Sequence, residues 1–240
     1  MYINTHSQFS LKYGLMSPND LLDIMKSKGY QSFAVTDINA TSCCLDILRL
    51  AEQKDLNVAI GIDFRNGIEQ QYVGIALNND GFRELNSYLS ERLLSKEPLP
   101  VEAPSSKNIA FIYPYNKKPN RPLRPHEYIG VKLSDLNKII FDTTMPPEHR
   151  WVSLQPATFR NKNDHNTHIL LRAIGLNTLY TKLTAKDTAT DEGIIINKKK
   201  LIHDFDRYPF VLHNTCTLLE RCKVTFDFKN TKTKNQKTFT

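Results

Sequence analysis

The sequence predicts an α/β fold, a parallel sheet covered by helices, and three observations carry that prediction. Strand-like and helix-like patterns alternate through the first ninety residues. The strands are continuous apolar runs, as in Phe33-Ala34-Val35 and Val58-Ala59-Ile60, which suits strands buried on both faces. Polar residues then stand at the C-terminal ends of successive strands. Asp37 and Asp63 do so, and His6 follows the first strand. Sheets of this kind build their sites at that edge. Taken singly, each Asp also suits a solvated loop or a helix cap.

The elements follow in order. Tyr2–Thr5 reads as a short strand. Ser17 is placed to cap a helix that has Pro18 at its first position, Leu21, Leu22, Ile24 and Met25 as its apolar face and Gly29 at its end. Ser32–Thr36 is a compact apolar strand leading to Asp37. A helix from about Thr41 to Asp55 would turn Leu45, Leu48 and Ala51 inward and Asp46, Arg49 and Glu52 outward. Val58–Ile62 is the next strand, ending in Asp63. Tyr72–Leu77 is a further strand, and Asp80–Leu94 a helix carrying Phe82, Leu85 and Leu89. Residues 95–108 are a Pro/Ser-rich connection and 116–127 another, rich in Lys, Arg and Pro, with a strand at Ile109–Tyr113 between them. Ser134 is expected to cap a short helix through Ile140. Trp151–Leu154 reads as a strand, Asp164–Ile174 as a helix, and Asn214–Cys222 as a last helix after Pro209. No internal repeat is evident.

Bulk properties narrow the classes. A chain of 240 residues, 40% hydrophobic and 24% charged, can bury a sizeable core. No apolar run approaches the ~18 residues of a membrane span. Met-Tyr-Ile-Asn-Thr-His lacks the basic and apolar regions of a secretion signal. Cys43, Cys44, Cys216 and Cys222 form no CxxC pair, which fits a reduced, cytoplasmic chain. The net charge of +7 is a modest bias towards polyanionic partners. Part of it is local: residues 229–240 hold four lysines and no acid, and read as a flexible basic connection to something larger.

The opening Ile3-Asn4-Thr5-His6-Ser7 resembles a metal-binding strand end with one ligand removed. Imidazoles at i and i+2 share one face of a strand and can close on one ion. His6 is present, but Asn4 occupies the other position. A carboxamide is a weak ligand for zinc-like ions, which favour His, Cys and carboxylate.

Ile3-Asn4-Thr5-His6-Ser7-Gln8-Phe9-Ser10-Leu11 resembles the L-H-x-H-S-x-[YF]-S-L start of the PHP domain that opens the alpha subunit of bacterial DNA polymerase III. Ala34-Val35-Thr36-Asp37 is similar to the family's A-L-T-D-H, Gly61-Ile62-Asp63-Phe64 to its G-x-E-[FY], and Ala76–Asn86 to its A-x-[ND]-x-x-G-[YF]-x-[NE]-L. Asn214-Thr215, Glu220 and Cys222 resemble the N-T-x-x-[IL]-[AL]-E-[RK]-C segment that closes the domain. The resemblance runs along nearly the whole chain and is weakest over 95–160. It implies a distorted (β/α)7 barrel of PHP type over residues 1–228.

It also implies a metal centre, and that match collapses. Asn4 replaces the first His and His6 keeps the second. Asp37 is kept, but Ile38 replaces the next His. Asp63 is a shorter carboxylate in place of Glu, and Gln71 falls where a His leads a strand. A later D-x-H pair aligns with Pro156 and Thr158. One imidazole and two carboxylates remain. Loss of supporting partners alone can cost a metal site about 10–100-fold in affinity, and here direct ligands are missing. Phosphodiester hydrolysis at such centres needs paired ions.

The expectation is therefore a PHP module of a DNA polymerase III alpha subunit in DNA replication, degenerate at its metal site and mainly structural, with no catalytic residue and no cofactor of its own. Its partners would be the remaining polymerase domains, primer-template DNA indirectly, and other replisome subunits. Nucleotidyl transfer, with its Mg, would lie in sequence absent from this chain. Two alternatives stand beside it. One is an active phosphoesterase or 3′–5′ exonuclease using His6, Asp37 and Asp63 with Zn or Mn. The other is a free-standing protein binding a phosphate-bearing ligand in the old cleft. Lys117, Lys118, Arg121 and Arg124 are candidate DNA contacts. Asp164, His165 and His168 share a helix face but read as solvated or structural. Tyr113, Tyr115 and Tyr128 read as sheet core.

Overall fold

In the computed structural model, which describes residues 1–228, the strands are β1 (Asn4–Thr5), β2 (Ser32–Ile38), β3 (Asn57–Asn66), β4 (Glu69–Ala76), β5 (Ile109–Pro114), β6 (Glu127–Val131), β7 (Trp151–Ser153) and β8 (Pro156–Ala157). The helices are α1 (Pro18–Ser27), α2 (Cys44–Lys54), α3 (Asn79–Ser95), α4 (Leu136–Ile139), α5 (Lys162–Gly175), α6 (Lys198–Asp204) and α7 (Pro209–Arg221). The basic segment 229–240 lies outside the described residues.

Strands β2 to β7 form one curled, six-stranded half-barrel in sequence order, and β1 pairs with β8 in a separate parallel pair. The expected α/β character is present. A complete (β/α)7 barrel with one continuous ladder is not. Where β1 meets β2, Ala34 N–H donates to Tyr2 O (2.9 Å). Beyond that a side chain replaces the ladder: the Thr36 hydroxyl accepts from Thr5 N–H (3.2 Å) and donates to Ile3 O (3.2 Å). In β8, Pro156 has no N–H to offer.

The sheet is also not all parallel. β4 runs antiparallel to both β3 and β5. Asn66 and Glu69 pair across a tight turn in which Gly67 takes φ +61°. Gly67 is the first residue of the two-residue loop Gly67-Ile68, a position where hairpin turns favour glycine. Sequence reading passed over it because it ended β3 at Ile62, whereas the strand continues to Asn66.

Smaller differences have local causes. On α2 the buried face is Cys44, Ile47 and Ala51, and Leu45 is exposed, so the apolar stripe is rotated from the expected one. Asp135, rather than Ser134, stabilises the start of the short helical segment near 133–139, accepting from Lys132 N–H at 3.1 Å. β6 was not anticipated, since Glu127 opens it inside a segment read as a loop. Elsewhere the capping chemistry follows expectation. Ser17 Oγ accepts from Asp20 N–H (3.2 Å) at the start of α1.

The core unites both halves of the chain. Ile3, Ala34, Ala59, Val73, Ile75, Ala110, Ile112, Val152 and Leu154 meet inside the curl with Leu218 and Leu219 of α7 and with Cys222 just after it. α7 touches both edge strands of the half-barrel, β2 and β7. Its Asn-Thr pair explains how. Asn214 Nδ2 donates to Glu148 O (2.9 Å) and Trp151 O (3.0 Å). Thr215 Oγ accepts from Ser153 N–H (2.8 Å) and donates to Val211 O (2.6 Å). The side chains satisfy backbone groups that the short strand β7 leaves unpaired. α3 covers a second apolar layer built on Phe64, Tyr72 and Phe111. No helix among the described residues is long and apolar enough to cross a membrane.

Candidate functional site

β1, β2 and β3 bring His6, Asp37 and Asp63 to one end of the sheet, as the strand pattern predicts. All three are buried: His6 and Asp63 are 0% exposed and Asp37 2%. Buried carboxylates need partners, and both have a full set within the protein.

Asp63 accepts four hydrogen bonds. His6 Nε2–H reaches Oδ2 at 3.0 Å. The Arg65 guanidinium grips the same oxygen through Nε (2.8 Å) and Nη2 (2.7 Å), and Gln70 Nε2 donates to Oδ1 at 2.9 Å. Burial by itself would raise the Asp63 pKa. The adjacent Arg65 charge and the hydrogen bond from His6 outweigh it and hold the carboxyl well below its usual range. Arg65, only 9% exposed, is correspondingly held as a cation by Asp63 against its own burial. Burial lowers the His6 pKa, with the Asp63 bond opposing it, so the ring is neutral. Its other nitrogen, Nδ1, accepts from the Thr158 hydroxyl at 2.8 Å.

Asp37 is closed in the same way by donors from the β1–α1 loop and from Cys43 at the start of α2. Ser7 N–H and Ser10 Oγ reach Oδ1 at 2.7 and 2.6 Å. Ser7 Oγ and Cys43 Sγ reach Oδ2 at 2.7 and 2.8 Å. Gly14 lets that loop fold tightly, because a Cβ there would stand 1.9 Å from Ser7 O. All four cysteines are free thiols.

An aromatic layer covers the pair. Tyr13 meets His6 and His168 edge-on, with ring centroids 5.4 and 4.7 Å apart, and the Arg65 Cζ lies 4.8 Å from the Tyr13 ring centre. His168 is fully buried, the structural of its two expected roles. Its Nδ1–H donates to Tyr13 O (2.8 Å) and its Nε2 accepts from Ala189 N–H (2.9 Å). Burial pushes its pKa down to about 4. His165 donates to Ala189 O and Asp164 pairs with Arg160, so this cluster is structural.

The other sequence-selected positions divide. Thr158 joins His6 directly. Asn4 and Pro156 pair across β1 and β8 and line a cavity of about 280 Å³ at the mouth of the site, into which Arg65, Lys117, Lys132 and Lys186 also face. Asn4 Oδ1 is buried and has no hydrogen-bond partner among the described residues. Ile38 contributes only its backbone N–H, donated to Ser10 Oγ at 3.0 Å. Gln71 turns away, donating to Glu69 O and accepting from Lys117. A bulge between Phe64 and Arg65 changes the register, and Gln70 takes the place beside Asp63. Each of the proposed DNA contacts has an acidic partner: Lys117 with Glu69, Lys118 with Asp142, Arg121 with Glu102 and Glu127, and Arg124 with Glu102. Tyr113 and Tyr128 are buried, and Tyr115 is half-buried, its hydroxyl on Asp142.

Sequence reasoning missed Arg65, Gln70, Ser10 and Cys43 as parts of this centre. Asp63 and Arg65 are two apart on a strand, a spacing that places both on one face, and that signal could have found the pair.

These residues do not fit a divalent ion. The two carboxylates and the imidazole have their polar atoms committed to protein donors. A guanidinium already holds the cationic position. Two unit charges 4 Å apart repel by about 4 kcal/mol at an effective dielectric of ~20, and a dication doubles that. Among the described residues no group of three His, Cys, Asp or Glu has metal-binding placement.

Residues 3–121 match the family model of the PHP domain, a family of phosphoesterase type. The matched stretch runs from β1 through β5 and contains His6, Asp37, Asp63 and Arg65. No curated protein matches the chain.

Proposed function

From the PHP domain present at residues 3–121, we propose that this chain is a PHP module in which an internal ion cluster replaces the metal centre, and that it serves as a structural unit of a DNA polymerase III alpha subunit. The observation that carries the first half is Arg65. Its bidentate grip on Asp63, with His6 and Gln70 completing the set, uses the carboxylate that hydrolysis would need for an ion. Support for the polymerase assignment is the order of motifs, from Asn-Thr-His-Ser at the start to Asn214-Thr215, Glu220 and Cys222 on and after α7. That last segment ties α7 to the sheet and gives a module with one shared core, as a buttress for neighbouring domains requires.

The decisive experiment is metal analysis after equilibration with Zn and Mn, paired with a phosphodiester hydrolysis assay. The expected result is neither stoichiometric metal nor activity. Bound metal together with turnover that disappears in His6→Ala would overturn the proposal in favour of a hydrolase. The polymerase assignment is tested separately, by whether the coding frame continues into a paired-Asp nucleotidyltransferase.

A further inference from the structure

A second cavity, of about 420 Å³, lies at the other end of the sheet. All strands of the half-barrel except β4 share one direction. His6, Asp37 and Asp63 sit towards the C-terminal ends of their strands. His126, by contrast, immediately precedes β6, and Arg150 immediately precedes β7, so both belong to the N-terminal edge. The opposite wall is α7, where His213, Thr217 and Arg221, spaced four apart, form one exposed stripe.

The lining has a single sign. His126, His149, Arg150, His213 and Arg221 face the cavity, and among the described residues no Asp or Glu lines it. Arg150 and Arg221 form no ion pair with a carboxylate among the described residues, unlike Arg65, Arg121, Arg124 and Arg160. Glu127, next to His126 in sequence, is withdrawn by Arg121 (2.8 and 2.9 Å) and by Arg124 N–H (2.7 Å), and Glu148 and Glu220, beside His149 and Arg221 in sequence, do not line the cavity. The cations are instead held in place by neutral partners. Arg221 donates to the Tyr128 hydroxyl (3.1 Å) and to His126 Nδ1 (3.2 Å), and Arg150 lies 5.9 Å from the Tyr128 ring centre. With Nδ1 accepting, the neutral His126 ring carries its proton on Nε2 as a further donor. Burial and the charges of Arg221 and Arg150 lower the His126 pKa, as expected where positive charge lacks a counter-ion.

We propose that this cavity is an anion site for a phosphate-bearing ligand, built from Arg150, Arg221 and the imidazoles of His126, His149 and His213. Two guanidinium forks and imidazole N–H donors converging from β6, β7 and α7 suit a tetrahedral oxyanion, which offers acceptors in several directions; one carboxylate would leave most of them idle. The volume is in the range of small-ligand sites. The site is independent of the PHP centre and of the reading given to it above.

The test is calorimetric titration of the 240-residue chain with inorganic pyrophosphate at low salt. Saturable binding is expected, weakened about tenfold or more by Arg221→Gln and by Arg150→Gln, as loss of a charge-assisted contact requires. Lys117→Gln, at the opposite end, should leave it unchanged. Absence of saturation, or binding indifferent to both arginine substitutions, or equal weakening by Lys117→Gln, would overturn the proposal. Arg221 is exposed, so Arg221→Gln remains decisive should Arg150→Gln fail to fold. A second arm compares 5′-phosphorylated with 5′-hydroxyl oligonucleotides. An Arg221-dependent preference for the phosphorylated end assigns the phosphate to nucleic acid; equal affinities alongside pyrophosphate binding assign it to a small molecule.

Discussion

Burial disfavours a charged carboxylate, and Asp63 is fully buried, yet it is held ionised by Arg65 and His6. Truncating one partner of such a pair leaves the other unpaired in the interior. Arg65→Ala is therefore expected to destabilise the fold by about 3–5 kcal/mol. Removing both charges in Arg65→Ala/Asp63→Ala should recover part of that loss, because no uncompensated ion remains. Urea denaturation of the two variants checks this. A double variant less stable than the single would mean that the pair's geometry, rather than its charge balance, dominates. His6, Asp37 and Asp63 were legible because each follows an apolar strand. Arg65 was not, because sequence alone does not show that a charged residue turns inwards until the carboxylate facing it is known.

The β3–β4 hairpin reverses what would otherwise be a parallel sheet. Gly67 makes the turn at φ +61°, and a side chain there would be strained even though space around it is open. Gly67→Ala should cost about 1–2 kcal/mol, read as a lower urea midpoint with an unchanged slope. A neutral result would mean that the turn relaxes. On α7, Thr215→Val removes the hydroxyl that accepts from Ser153 N–H. It leaves a buried donor unsatisfied, at about 1–3 kcal/mol, and thermal unfolding measures it. Helices and strands were found in order because their periodicities are local. The rotated stripe of α2 and the missed β6 show the limit, since burial there depends on neighbours distant in sequence.

For the molecule as a whole, two neutral, buried histidines at one site imply acid sensitivity. His168 is lowered to about 4 and His6 is lowered as well, whereas an unfolded chain binds the proton near pH ~6.5. Between these values the unfolded state holds more protons, so stability is complete above ~6.5 and falls as pH drops towards 4, by roughly 1.4 kcal/mol per pH unit for His168, and the lowered His6 acts in the same direction. Denaturation midpoints from pH 7 to pH 4.5 should trace that fall, and His168→Gln should flatten it. A midpoint independent of pH would contradict neutral burial. By itself the sequence determined the α/β alternation and the approach of His6, Asp37 and Asp63 to one end, because these follow from local periodicity and residue chemistry. Only the tertiary structure decided what fills that centre, how far the barrel closes, and where the unpaired arginines gather. Those depend on which donors meet which acceptors across long stretches of chain, as Thr158 meets His6 at a separation of 152 residues and Arg221 meets His126 at 95. Local pattern carries no record of such meetings.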